Sequence, residues 1–261
     1  MRKGYFGSDS YHTPEKEHIS FTGKLRLNNR LYFTWKYATI VLSTRKVAVR
    51  KLYDTKAWTD SSFYILKFIE KTGGIFHITG MENITKSEQP VLFISNHMST
   101  LETMIFPCII QPLRDVTFVV KESLVKHPFF GDVMRSRNPI VVGRTDPRKD
   151  FEAVMNGGMD RLSKGISVII FPQSTRSLDF KPEEFNSLGV KLAKKAGVKV
   201  VPVAIKTDFW GNGKLVKELG PIDRHKPIHI KFGEPFTIIG NGKEEHQKII
   251  DFIKSSLQEW M

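Results

Sequence analysis

Asn96 and His97 follow a short apolar run, Val91 to Ile94, and Ser99 and Glu102 stand just beyond them. The run reads as a buried strand, and the polar residues after it read as a turn that delivers the Asn-His pair ahead of a new helix. Ser99 with Glu102 three residues on has the spacing of a capping box, in which the serine accepts from the backbone and the glutamate reaches back. At the positive end of that helix the dipole favours a neutral imidazole over imidazolium. A carboxylate at Glu102 can hold the Nδ1–H tautomer of His97 and leave Nε2 to take a proton from a hydroxyl, which is general-base chemistry. Asn96, or a backbone N–H near Ser99, is suited to an oxyanion. The same residues also support a plainer reading, in which Glu102 only caps the helix and His97 is an ordinary loop histidine.

Three other apolar runs end in a cation. Lys121 follows Val116 to Val120, Arg144 follows Ile140 to Val142, and Arg176 follows Ser167 to Phe171 with Thr175 and Ser177 on either side. Ligands of open α/β sheets bind outside the carboxyl ends of strands, and the planar fork of arginine matches phosphate oxygens. The plainer alternatives are a surface pair between Arg144 and Asp146, and a simple strand end at Lys121.

The stretch from Asn96 to Glu102 resembles the His-x4-Asp block of the glycerolipid acyltransferases, the family of 1-acylglycerol-3-phosphate acyltransferase and glycerol-3-phosphate acyltransferase. Further stretches resemble that family's other blocks in the family's order. They are Lys121 to Gly131 leading to Arg144, then Phe171 to Ser177, then Val201 to Ile205, within a resemblance that runs from about Gly74 to Phe236. The resemblance implies transfer of a fatty acyl group from an acyl thioester, on CoA or acyl carrier protein, to the hydroxyl of a lysophosphatidate or other lysophospholipid. It implies His97 as base with Glu102 behind it, and direct attack without an acyl-enzyme. Arg144 and Arg176, with Thr175, Ser177 and Lys121, are the implied contacts of the acceptor's phosphate. No metal or cofactor is implied, and the partners are a membrane lipid and the acyl carrier, not nucleic acid.

Three positions depart from the family pattern. Gln173 stands for a glutamate, Ser174 for a glycine, and Glu102 is one methylene longer than the usual aspartate. A serine restricts the backbone where positive φ is needed, and a shifted carboxylate moves the base. The departures leave open an acceptor of another kind, such as an amino-acid-derived or sterol-like lipid. A non-catalytic basic protein on membranes or nucleic acid is the reading of another class.

The chain has 261 residues, enough for one large α/β domain with appendages, and 40 Lys and Arg against 27 Asp and Glu give a net charge of +13. So basic a surface attracts anions without naming them. The single cysteine, Cys108, excludes an internal disulfide framework and lies among apolar residues, as a buried thiol does. The first residues lack the apolar run of a signal peptide, and no stretch has the length to span a bilayer. The expected place is peripheral, on the cytoplasmic face of a membrane.

Residues 1–28 are expected to be a mobile arm without structure of its own. Residues 29–72 pattern as two amphipathic helices in which Tyr32, Trp35, Tyr37 and Trp58 alternate with Arg30, Lys36, Arg45 and Lys46, a composition suited to the headgroup layer. The alternative is that this hairpin only packs on the domain. Residues 73–261 form the expected acyltransferase domain, an α/β fold with a mixed, largely parallel central sheet flanked by helices. Its expected strands are 75–79, 91–94, 116–120, 139–142, 167–171, 198–205 and 228–232. The segment from Asp208 to Lys214 is not a P-loop, because Leu215 stands where Ser or Thr must follow the lysine. The chain also lacks the Gly-x-Ser-x-Gly, His-Glu-x-x-His and Gly-x-Gly-x-x-Gly patterns of serine hydrolases, zincins and dinucleotide enzymes.

Overall fold

The computed structural model describes residues 4–7, 9–14, 30–173, 175–213 and 217–261. Among them eight strands build one sheet: β1 Tyr11–His12, β2 Phe76–Thr79, β3 Leu92–Ser95, β4 Val116–Lys121, β5 Ile140–Val142, β6 Ser167–Ile170, β7 Val200–Lys206 and β8 Ile228–Phe232. Their spatial order is β1-β2-β8-β7-β3-β6-β4-β5. All pairings are parallel except β1 with β2 and β7 with β8. All seven strands expected from the sequence are present. The eighth, β1, lies in the arm that was expected to have no structure: Tyr11 and His12 pair with Ile78 and His77. Residues 15–28 of that arm lie outside the described residues.

Alternation along β3 shows how the sheet divides its two faces. Phe93 joins one apolar cluster, while Leu92 and Ile94 join the other. Helices α1 (Arg30–Val49), α2 (Thr55–Lys71) and α3 (Leu101–Ile110) cover the first face. Helices α6 (Pro147–Ser163), α7 (Leu188–Ala196) and α8 (Lys243–Glu259) cover the second, and the short helices α4 (Glu122–Val125) and α5 (Gly131–Ser136) follow β4. Buried on both faces, β3 reads as continuous apolar sequence, as a central parallel strand must.

The hairpin of α1 and α2 packs on the domain. Trp210, 1% exposed, meets the rings of Phe33 and Tyr37 edge-on at 5.0 Å each, so the loop that could be given no role from sequence anchors α1. Helix α1 is not amphipathic in the expected way. Phe33, Tyr37, Ile40 and Ala48 are buried, yet Trp35, Leu42 and Val49 are exposed. Helix α2 is tied to α3 at Pro107, which breaks the α3 hydrogen-bond ladder. The Ser62 hydroxyl enters the break, donating to the Met104 carbonyl at 2.7 Å and accepting from the Cys108 N–H at 2.9 Å. Cys108 is fully buried, and burial pushes its thiol up to about 12, which makes it structural. No helix among the described residues is long and apolar enough to cross a membrane.

Along one row of the sheet His12, His77 and His229 stand side by side, with the His77 and His229 rings stacked at 4.9 Å and Trp260 stacked on His229 at 5.0 Å. Burial pushes His229 down to about 4; the charges of His77 and Lys206 act in the same direction, and Asp208 and Glu259 oppose them. The unfolded chain therefore binds this proton at a higher pH than the folded one, so stability is full above about 6.5 and declines as pH falls toward 4. Denaturant midpoints measured from pH 8 to 4 should show that decline in the native protein and a shallower one in His229→Phe, which keeps the stack on Trp260.

Candidate active site

The carboxyl ends of β3, β4, β5, β6 and β7 open on one side of the sheet and carry His97, Lys121, Arg144, Arg176 and Thr207 respectively. The loop after β3 is fixed by Glu102, which is 0% exposed in the first turn of α3. Its Oε1 accepts from the backbone N–H groups of Met98 and Ser99, each at 2.8 Å, and from His97 Nδ1 at 2.8 Å. Its Oε2 accepts from the hydroxyls of Ser99 at 2.9 Å and Thr207 at 2.7 Å. Burial alone would raise this carboxyl. The His97 hydrogen bond and charge, with the Thr207 hydroxyl, outweigh burial and hold it below its ordinary value. A carboxylate can only accept, so Nδ1 carries the proton and the free lone pair is on Nε2. The imidazole stacks on Phe171 at 4.3 Å and lines a cavity of about 450 Å³.

The departures from the family pattern have local explanations. The extra methylene of Glu102 still brings Oε1 within 2.8 Å of the imidazole. Gln173, 2% exposed, accepts from the His97 N–H at 2.7 Å through its amide oxygen, a task that needs an acceptor and no charge. Ser174 lies outside the described residues.

Two expected oxyanion groups are engaged elsewhere. Asn96 is buried, and its amide both donates to and accepts from the Ile205 backbone at 2.9 Å, stapling the end of β3 to β7. Ser99 is sealed from water, its N–H bound to Glu102 and its Oγ accepting from the Leu101 N–H at 3.0 Å. Ser177 donates its N–H to the His97 carbonyl at 3.0 Å and is not on the cavity wall.

The cavity does gather Lys121, Arg144, Thr175 and Arg176 around His97. Arg144 has φ +59°, a left-handed conformation rare for a side chain of its size, and Asp150 holds it there. The Asp150 carboxylate accepts from the N–H groups of Gly143 at 2.8 Å and Arg144 at 2.9 Å. Asp146, the partner considered from sequence, caps α6 instead, accepting from Arg148 and Lys149. Arg176 donates to the Thr100 hydroxyl and to Glu218. The hairpin supplies the remaining wall: Tyr37, Ile40 and Val41 from α1, and Trp58 and Ile65 from α2, face Met104, Phe118 and Val133. Thr207 and Glu218 escaped the sequence reading, and Tyr37 entered it only as an aromatic of the hairpin; Thr207 left a trace as the residue just past a strand that ends beside the site. Among the described residues no group of three or more His, Cys, Asp or Glu is placed to hold a metal ion.

A family model described as Acyltransferase matches residues 75–206. A 1-acyl-sn-glycerol-3-phosphate acyltransferase of Pseudomonas aeruginosa is 32% identical over 148 residues, 56% of this chain and 56% of that protein. A chloroplastic 1-acyl-sn-glycerol-3-phosphate acyltransferase of Arabidopsis thaliana is 30% identical over 183 residues, 67% of this chain and 47% of that protein. The chain thus spans about half the length of these curated relatives. The crystal structure of the 1-acyl-sn-glycerophosphate acyltransferase PlsC from Thermotoga maritima has the same fold, with a TM-score of 0.61 and 24% identity over 91% of this chain and 97% of that one.

Replacing Glu102 by Gln keeps the shape and removes the charge that five donors converge on. The hydroxyls of Ser99 and Thr207 can rotate to accept, so the expected loss is about 2 kcal/mol at neutral pH. The native carboxylate contributes its stability above its unfolded value and loses it as pH falls through its depressed folded one. The gap between native and Glu102→Gln melting temperatures should therefore be widest near pH 7 and close as the pH drops below about 4.

Proposed function

The chain belongs to the acyltransferase family, and from that premise we propose that it transfers a fatty acyl group from an acyl thioester to the free hydroxyl of a lysophosphatidate. The observation that carries the proposal is the pairing of His97 with buried Glu102 at a cavity that also holds Lys121, Arg144 and Arg176. In this reading His97 Nε2 takes the proton from the acceptor hydroxyl as its oxygen attacks the thioester carbonyl. The tetrahedral intermediate collapses with loss of the thiolate, which receives that proton from His97. Glu102 holds the tautomer and stabilises the imidazolium formed on the way. Arg176 and Arg144, with Thr175 and Lys121, bind the acceptor's phosphate, because guanidinium groups match it in charge and in geometry. The acyl chain runs along the apolar wall between the hairpin and the domain, where Ile40, Ile65 and Met104 offer it dry surface. The donor is an acyl-CoA or an acyl carrier protein, both acidic and both suited to a chain of net charge +13.

The hairpin is proposed as the face that meets the bilayer. Its exposed Trp35, Leu42, Val49, Leu52 and Tyr64 stand beside Lys36, Arg45 and Lys46, the combination that sits at a headgroup layer. This suits a site whose acceptor and acyl chain are both lipid.

Thiol release from long-chain acyl-CoA and from acyl carrier protein, with lysophosphatidate present, tests the chemistry. Release should depend on the acceptor and fall by about 10²–10⁴ in His97→Ala with the fold intact. Transfer that survives His97→Ala sinks the base assignment, and native protein that cleaves neither thioester sinks the transferase. Cosedimentation with vesicles containing anionic lipid tests the docking face. Trp35→Ser with Leu42→Ser should weaken it several-fold, and binding unchanged in that double variant would count against the hairpin.

A further inference from the structure

Four cations line the cavity, Lys121, Arg137, Arg144 and Arg176, and among the described lining residues the one carboxylate is Glu218. Arg137 is held within the wall, stacked on Trp58 at 4.9 Å and donating to the Tyr53 carbonyl. Arg176 faces Glu218: Nη2 donates to Oε1 at 2.7 Å, with the two side chains only 17% and 21% exposed. Its other arm donates to the Thr100 hydroxyl, at the start of α3 and close in sequence to His97. Tyr37 of α1 stands over this pair. It is 5% exposed, and its hydroxyl has no hydrogen-bond partner among the described residues. Burial first, and then the charge of Glu218, push its phenol far above the ordinary range, with Arg176 opposing, so it remains a neutral O–H donor. A buried donor without an acceptor is costly, and here it sits on the wall of a cavity that takes a ligand.

Resting on the acyl-transfer reading, we infer that Glu218 occupies the seat of the acceptor's phosphate on Arg176 and must leave it before any phosphate headgroup binds there. A carboxylate and a phosphate both offer a guanidinium two oxygens in the same fork geometry. An acceptor can take Arg176 only by displacing a full negative charge from a half-buried ion pair. A phosphomonoester carries about −1.5 to −2 at neutral pH. It gains on that exchange, with its second charge met by Lys121 or Arg144 and an oxygen available to the Tyr37 hydroxyl. A phosphodiester carries no more charge than the carboxylate it displaces and gains nothing. The displacement is the same for both, and Glu218 is thus a competing counter-ion that raises the KM of every acceptor that needs Arg176, by the same factor for each. It lies in the short turn Lys217–Leu219, outside every motif, and reaches Arg176 only in the folded chain.

The test is steady-state kinetics in mixed micelles with one long-chain acyl-CoA and three acceptors, lysophosphatidate, lysophosphatidylglycerol and lysophosphatidylethanolamine. In Glu218→Gln the KM for lysophosphatidate and for lysophosphatidylglycerol should fall together, by about tenfold each. Glu218→Asp, which keeps the charge, should stay close to the native KM values. Inorganic phosphate should raise the melting temperature of Glu218→Gln at lower concentration than that of the native protein, a readout independent of turnover. Native-like KM values for both acceptors in a folded Glu218→Gln overturn the inference and leave acyl transfer standing. A KM that rises in this variant for lysophosphatidylethanolamine alone also overturns it, by assigning Glu218 to a cationic headgroup. Native protein that transfers to none of these acceptors overturns the acyl-transfer reading and this inference together.

Discussion

A carboxylate held out of water at the end of the central strand constrains everything near it. Glu102 is tolerable there only because donors converge on it from its own turn, from His97 and from Thr207 just past the neighbouring strand. Those donors lock the loop from His97 to Ser99 into one shape, and that shape aims the imidazole. The same demand explains why the loop's N–H groups are not free for an oxyanion. Met98 and Ser99 donate to Glu102, and His97 donates to Gln173. A buried charge that must be satisfied takes precedence over a ligand that is present only part of the time.

The parallel sheet supplies the frame in which this works. Because β3 is flanked by β6 and β7 in parallel, the loops that follow all three emerge on one side and can be stitched together. Asn96 bonds to Ile205, Ser177 to the His97 carbonyl, and Asn212 to the Met98 carbonyl at 2.9 Å. Polar groups at the strand ends, two of them side-chain amides and one a backbone N–H, thus act as fasteners, which leaves the cations on the outer loops to face the cavity. Arg144 is the clearest case, since a backbone conformation uncommon for arginine is held by Asp150 from the first turn of the following helix.

The hairpin completes the site by closing its apolar side. Trp210 rises from the domain into the aromatic cluster of Phe33 and Tyr37, so α1 is fixed from below while Trp35, Leu42 and Val49 remain open on its other side. The domain therefore accounts for the buried side of α1 and leaves these three side chains without cover among the described residues.

Local pattern was enough for much of this protein. Strand positions followed from apolar runs bounded by turn residues, and the pairing of His97 with Glu102 followed from a capping turn in which the two are five residues apart. Burial of Cys108 followed from its apolar surroundings. What only the tertiary structure decided are the contacts that join distant segments. Asn96 meets Ile205 across 109 residues, Thr207 meets Glu102 across 105, and Arg176 meets Glu218 across 42. Strand β1 was hidden for a related reason: two residues carry no periodicity, and Tyr11 and His12 become a strand only because β2 offers them an edge. Periodicity and spacing record how a segment meets its own neighbours and whether one face is buried. They do not record which polar group waits on the other side, and at this site those groups decide whether a side chain fastens the fold or faces the ligand.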